Sequence, residues 1–267
     1  MPFDLRAVAA LILDIDGVLY EGHRALPGAV ELITHLTREG TPYVLLSNNT
    51  TRPFSSHLAQ LTELGMPVAP GSIVTAAYVV AHTLAGEANP GARCLVIGET
   101  GLVEALEQAG FQVTQTDPYA IEYVVVGMDR QLTYEKLKAA ALAIQSGAKF
   151  ISSNPDPAYP DGKDLIPASG AVQAALEVAT GVRARVIGKP ELPGFQIALG
   201  QLGSTPDQTG MLGDQLETDI LGAKRAGLKG FLVLSSLTPH FVPDRAPVRP
   251  DAIFESTLDF YRQWLAR

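Results

Sequence analysis

Residues 8–13 form an unbroken apolar run, Val-Ala-Ala-Leu-Ile-Leu, which stops at Asp14-Ile15-Asp16-Gly17. Together with the residue on either side, this predicts a buried strand over about residues 7–14. Pro27 then opens a helix, with Val30, Ile33, Leu36 and Thr37 near one face and Gly40 at its end. Tyr43–Leu46 is a second apolar run, followed by the polar stretch Ser47-Asn48-Asn49-Thr50. A helix is expected from Ser55 to Leu64, stopping at Gly65, and Val68 and Ile73-Val74 continue the block. Strand, loop and helix in alternation predict a parallel sheet covered by helices.

A second block of the same kind begins near residue 75. Ala92–Ile97 and Tyr123–Val126 read as buried strands, and Gly101–Ala109 and Tyr134–Gln145 as helices closed by Gly110 and Gly147. Phe150-Ile151 leads into Ser152-Ser153-Asn154-Pro155-Asp156, and Ala168–Ala179 is helical. The stretch from Pro155 to Gly170 is rich in Pro, Gly and Asp and is expected to be a loop. The alternation then resumes: Arg185–Gly188 leads to Lys189-Pro190, Phe195–Leu202 is a helix, and Thr209–Leu212 is a strand ending in Gly213-Asp214-Gln215. Asp219–Ala226 is a helix, Gly230–Leu234 and Ala252–Phe254 are strands, and Thr257–Leu265 is the last helix, with Phe260, Tyr261 and Trp264 turned to the core. The simplest organisation is a core of residues 1–76 and 184–267, interrupted by an inserted α/β domain over residues 77–183. An insertion that closes over the core's reactive edge would act as a cap.

Composition narrows this picture. The 267 residues are 46% hydrophobic, enough for a substantial core. The net charge of −8, from 20 basic and 28 acidic residues, argues against a nucleic-acid polymer or an anionic membrane as partner. No stretch is long and apolar enough to span a bilayer. Cys94 is the only cysteine, so no intrachain disulfide can form, and its apolar neighbours make it a packing residue. Asp4 and Arg6 break up any apolar leader before the first strand, so a cytoplasmic protein is expected.

Four predicted strand ends carry reactive side chains: Asp14 with Asp16, Ser47 with Asn48, Lys189, and Asp214. If their strands lie side by side in one open α/β sheet, these ends converge on one rim, where ligands bind. Carboxylates are seldom buried unless paired, hydrogen-bonded or metal-bound. Clustered carboxylates suit a hard cation such as Mg²⁺, and Mn²⁺ accepts similar oxygen ligands. Ser47 can hold a phosphate oxygen, Lys189 can neutralise both a phosphate and a nucleophile, and an aspartate can attack phosphorus. A second carboxylate, Asp16, can give a proton to the leaving oxygen and later take one from water.

This arrangement resembles the haloacid dehalogenase (HAD) superfamily of phosphatases. Asp14-Ile15-Asp16-Gly17-Val18-Leu19-Tyr20, Ser47-Asn48-Asn49, Lys189-Pro190 and Gly213-Asp214-Gln215-Leu216-Glu217-Thr218-Asp219 resemble its four motifs in order. Phe150–Asp156 and Ile166–Gly170 resemble the large α/β cap of the NagD-like branch, which includes 4-nitrophenylphosphatases. The resemblance implies a Rossmann-like parallel-sheet core with an inserted α/β cap. It implies that Asp14 is the nucleophile and that Asp14, the Asp16 carbonyl and Asp214 hold Mg²⁺. Asp16 would be the acid/base, and Ser47 and the Asn48 N–H would hold phosphate. Lys189 would bridge Asp14 and phosphate, and Asp219 would orient Lys189 or the metal's water from behind the ligands. Asn49 would order its loop or approach the leaving group, and Asn154 and Asp156, in the cap, would face the substrate. The implied activity is hydrolysis of a small phosphorylated metabolite: a sugar phosphate, a nucleotide monophosphate or an aryl phosphate. Self-association into a homodimer through the cap is a further expectation.

Two other readings compete. Carbon–halogen hydrolysis would use the same nucleophile, but halide departure needs no phosphate-neutralising cation at Asp214 and Asp219. A non-catalytic phosphometabolite-binding or regulatory protein would not need both a nucleophile and an acid/base. The five histidines, His23, His35, His57, His82 and His240, have no compact zinc spacing and read as surface or local structure. No dinucleotide-binding glycine fingerprint occurs in its required context.

Overall fold

The computed structural model describes residues 4–114, 118–161, 164–235 and 248–267. The chain forms two compact units. The first comprises residues up to Ser47, Ser55–Val74 and Lys189 onward; the second comprises Asn48–Phe54 and Thr75–Gly188.

The first unit is built on a six-stranded sheet in the order Ala252–Phe254, Lys229–Val233, Thr209–Gly213, Ala10–Leu13, Tyr43–Ser47, Ile73–Thr75. The first five strands run parallel. The strand Ala10–Leu13 is buried along its whole length, as expected for a sheet with helices on both faces. The helix Ala29–Glu39 buries Ala29, Leu32, Ile33 and Leu36, a spacing that puts them on one face, and ends at Gly40 in the left-handed conformation. The C-terminal helix Thr257–Leu265 starts where the Ser256 side chain accepts the Asp259 N–H. Its Phe260 and Trp264 are buried, with Phe260 set against Phe231 and Phe254. Trp264 is therefore a core residue.

The second unit has its own parallel five-stranded sheet, in the order Arg185–Val186, Lys149–Ser152, Tyr123–Val126, Arg93–Ile97, Gln112–Val113. It also has its own core, in which Leu95, Ile97, Val124 and Val126 pack with Ala143, Ile144, Phe150 and Leu176. The helix Tyr134–Gln145 begins where Thr133 accepts the Lys136 N–H at 3.2 Å. Cys94 is fully buried in its strand.

Two local expectations need correction. The segment read as a loop from Pro155 to Gly170 contains an antiparallel hairpin, Ala158–Asp161 against Asp164–Pro167, with Tyr159 opposite Ile166. In a two-stranded ribbon each strand keeps one open edge, so Pro160 and Pro167 can sit in it without breaking a ladder. The helix expected from Asp219 begins earlier: Leu216–Ile220 form a π-helical turn that runs into the helix Leu221–Arg225. A second hairpin, Tyr20–Glu21 with Arg24–Ala25, directly follows the Asp14–Gly17 turn. Among the described residues no helix is long and apolar enough to cross a membrane. His240 lies outside the described residues.

Candidate active site

The register of the core sheet sets the site. Leu13 lies opposite both Leu45 and Leu212, so three neighbouring strands end at one rim. Asp14 continues the central strand, with its N–H donating to the Leu212 carbonyl at 2.9 Å. Ser47, buried, closes the strand on one side, and Asp214 follows the strand on the other.

Lys189 is buried among acceptors. Its Nζ donates to Asp14 Oδ1 at 2.6 Å, to Asp219 Oδ1 at 2.6 Å and to the Leu46 carbonyl at 3.0 Å. Lys189 is 3% exposed, Asp14 5% and Asp219 0%. Burial on its own pulls an ammonium pKa down, but Asp14 and Asp219 outweigh it here and hold Lys189 above its ordinary value. Burial pushes Asp14 well above the usual carboxylate range; Lys189 opposes that push, and Asp219 and Asp214 add to it. Asp219 also accepts the Gln215 N–H through Oδ2 at 3.1 Å, and this bond ties the π-helical turn to the Lys189 pair. π-Helical turns of this kind recur at functional sites.

Asp214 is also fully buried. Its Oδ2 accepts the Ser235 hydroxyl at 2.7 Å, while its Oδ1 has no hydrogen-bond partner among the described residues. Burial, with Asp219 adding to it, pushes the Asp214 pKa up to about 7. Gly17, at φ +84°, makes room for this carboxylate, because a Cβ there would lie 2.3 Å from Asp214 Oδ2. Asp16 is half-buried on the same turn and is bridged through its backbone to Tyr20.

A divalent cation fits these residues. Asp14, Asp214 and Asp219 each bring one carboxylate oxygen to within 4.8 Å of the others. Three buried carboxylates face a single lysine, and a buried carboxylate oxygen without a donor is costly. All the donors are hard oxygens, as Mg²⁺ requires. The structure thus brings Asp219 to the acidic cluster beside Asp14 and Asp214, with both of its oxygens already engaged by Lys189 and Gln215.

The remaining predicted residues belong to the second unit. Asn49 Oδ1 accepts both the N–H and the hydroxyl of Thr51, at 2.9 and 2.8 Å, and so orders its own loop. Asn154 and Asp156 are both hydrogen-bonded to Asn48. Ser235 and the Leu46 carbonyl carry site contacts that the motif reading does not single out. Ser235 lies just beyond the strand Lys229–Val233, so the rule that polar residues after a strand end face the site would have found it. The Leu46 carbonyl leaves no trace in residue type.

Comparison with known proteins places this geometry. A family model described as haloacid dehalogenase-like hydrolase matches residues 11–112, and a second, HAD-hydrolase-like model matches residues 186–260. The acid sugar phosphatase of Staphylococcus aureus is 36% identical over 224 residues, covering 84% of this chain and 85% of that protein. This chain belongs to the haloacid dehalogenase-like hydrolase family. Within the HAD superfamily it falls in the NagD-like branch with an α/β cap. NagD from Escherichia coli K-12 matches with a TM-score of 0.82 and 32% identity over 94% of this chain and 98% of that one. The p-nitrophenyl phosphatase of Archaeoglobus fulgidus matches with a TM-score of 0.88 and 31% identity over 96% and 99%. The parallel α/β core with an inserted α/β unit is the HAD architecture read from the four motifs.

Proposed function

We propose that this HAD hydrolase is a Mg²⁺-dependent phosphomonoesterase that works through an aspartyl-phosphate on Asp14. The observation that carries the reading is the buried lysine held at 2.6 Å by both Asp14 and Asp219. A nucleophilic carboxylate and a phosphate dianion repel each other, and a fixed ammonium between them lowers that repulsion without reorganisation at the moment of reaction. Asp14, Asp214 and the Asp16 carbonyl would hold the cation, which when bound supplies further neutralisation of the phosphoryl oxygens.

The chain's own residues account for the proton and bond changes. An Asp14 oxygen forms a bond to phosphorus as the bond from phosphorus to the leaving oxygen breaks. The protonated Asp16 side chain gives its proton to that oxygen. The Asp16 carboxylate then takes a proton from water, whose oxygen bonds to phosphorus as the bond from phosphorus to the Asp14 oxygen breaks, releasing inorganic phosphate and restoring both aspartates. Ser47 and the Asn48 N–H would orient the phosphate. The name of the staphylococcal relative supports a sugar phosphate as substrate, and that of the Archaeoglobus protein an aryl phosphate.

The test is phosphate release from a panel of sugar, nucleoside and aryl phosphomonoesters, with Mg²⁺ and with chelator, for the wild type and Asp14→Asn. Turnover that needs Mg²⁺ and disappears in Asp14→Asn is expected. Multiple turnover retained by a folded Asp14→Asn protein would remove Asp14 as nucleophile.

A further inference from the structure

We infer that Asn154 and Asp156 are positioning residues for the phosphate-holding backbone at Asn48, and do not contact the leaving group. The inference rests on the phosphatase reading above. Asn48 follows Ser47, the last residue of its strand. Its carbonyl oxygen accepts Asn154 Nδ2 at 2.7 Å, and its side-chain Nδ2 donates to Asp156 Oδ2 at 3.1 Å. One residue is thus held by its main chain and by its side chain, from a loop more than a hundred positions away. Fixing both groups fixes the Cα of residue 48 and with it the position of the backbone nitrogen that carries the N–H of the planar peptide after Ser47.

The holding loop is itself braced. Asn154 Oδ1 accepts the Asp156 N–H at 3.2 Å, the Ser152 hydroxyl donates to the Asn154 carbonyl at 3.0 Å, and the Gly170 N–H donates to the Asp156 carbonyl at 2.8 Å. Gly188 gives the Asn48 side chain its seat: a Cβ there would stand 2.9 Å from Asn48 Oδ1 and 2.2 Å from the Ser153 carbonyl. Asn154 is 4% exposed, and both ends of its amide are engaged within this set. Such a side chain has little surface for a ligand but is well placed to hold a donor rigid. Preorganised donors of this kind stabilise developing phosphoryl charge better than mobile ones.

The experiment compares Asn154→Ala, Asp156→Ala and Asp156→Asn with the wild type. It measures inorganic phosphate binding by calorimetry, and kcat/KM on p-nitrophenyl phosphate, a hexose phosphate and a nucleoside monophosphate. Asn154→Ala and Asp156→Ala should weaken phosphate binding about tenfold, the scale of one lost buried hydrogen bond, and lower kcat/KM on all three esters by a common factor. Asp156→Asn keeps an oxygen acceptor for Asn48 Nδ2 and should stay close to wild type. The inference is overturned if phosphate binding is unchanged, or if the variants alter the ranking of the three esters. Should Asn154→Ala not fold, the contrast between Asp156→Ala and Asp156→Asn carries the same decision. Calorimetry reads phosphate directly, so a wild type that binds phosphate but hydrolyses no ester would overturn the phosphatase reading and leave the Asn48 comparison standing.

Discussion

Lys189 Nζ lies 2.6 Å from Asp14 Oδ1, although the two residues are 175 positions apart in the chain. Neither side chain can reach water in quantity, so Asp14, Asp219 and the Leu46 carbonyl together take the place of water around the ammonium. Replacing Lys189 with Met keeps most of the volume and leaves Asp14 and Asp219 buried without their cation. Breaking a buried pair from one side costs about 3–5 kcal/mol. Urea unfolding of Lys189→Met in chelator should show a loss of that order, and turnover should vanish. A variant as stable as wild type would show that the contacts of Lys189 with Asp14 and Asp219 contribute no net stability to the fold.

Ser235 controls how Asp214 is presented. Its hydroxyl occupies Asp214 Oδ2 and leaves Oδ1 as the oxygen without a partner. Ser235→Ala removes the donor that fixes the carboxylate's rotation. Partners that orient a metal ligand are worth about 10–100-fold in affinity or activity. Mg²⁺ binding followed by calorimetry should weaken by about the lower end of that range, and Ser235→Thr should restore it. Equal Mg²⁺ affinity in Ser235→Ala and wild type would show that the backbone alone holds Asp214 in place.

Cys94 supplies a pH test away from the site. Burial pushes its thiol up to about 12 from an ordinary value near 9.0. Because the folded protein disfavours the thiolate, this group's contribution to stability is complete below the unfolded thiol's pKa. It is lost as the pH rises from there through the folded value. At pH 8 the native protein should react with a thiol reagent only at the rate of unfolding, and in denaturant at once. Cys94→Ala should flatten the fall in stability between about pH 9 and 12. Fast labelling of the native protein would place Cys94 at an accessible position and contradict the burial.

The elements that local chemistry specifies were legible in the residues alone. The helix Tyr134–Gln145 follows from a threonine cap and an apolar stripe, and the central strand from an apolar run halted by carboxylates. The convergence of Asp14 and Asp214 was also legible, because a parallel sheet brings the ends of neighbouring strands to one rim. Lys189 was expected there as the end of another strand of that sheet, but the strand before it, Arg185–Val186, pairs in the second unit's sheet, and Asp219 arrives on the π-helical turn. What escaped that reading depends on partners distant in the chain. The hairpin Ala158–Pro167 looks like a polar loop until its two short strands pair. The turn Leu216–Ile220 widens around an aspartate whose oxygens are claimed by Gln215 and Lys189. Asn154 and Asp156 carry side chains that would suit a substrate as well as a backbone, and only the folded loop directs them to Asn48. A residue type states which bonds a side chain can make; which of them it makes is settled by the groups that folding brings within about 3 Å.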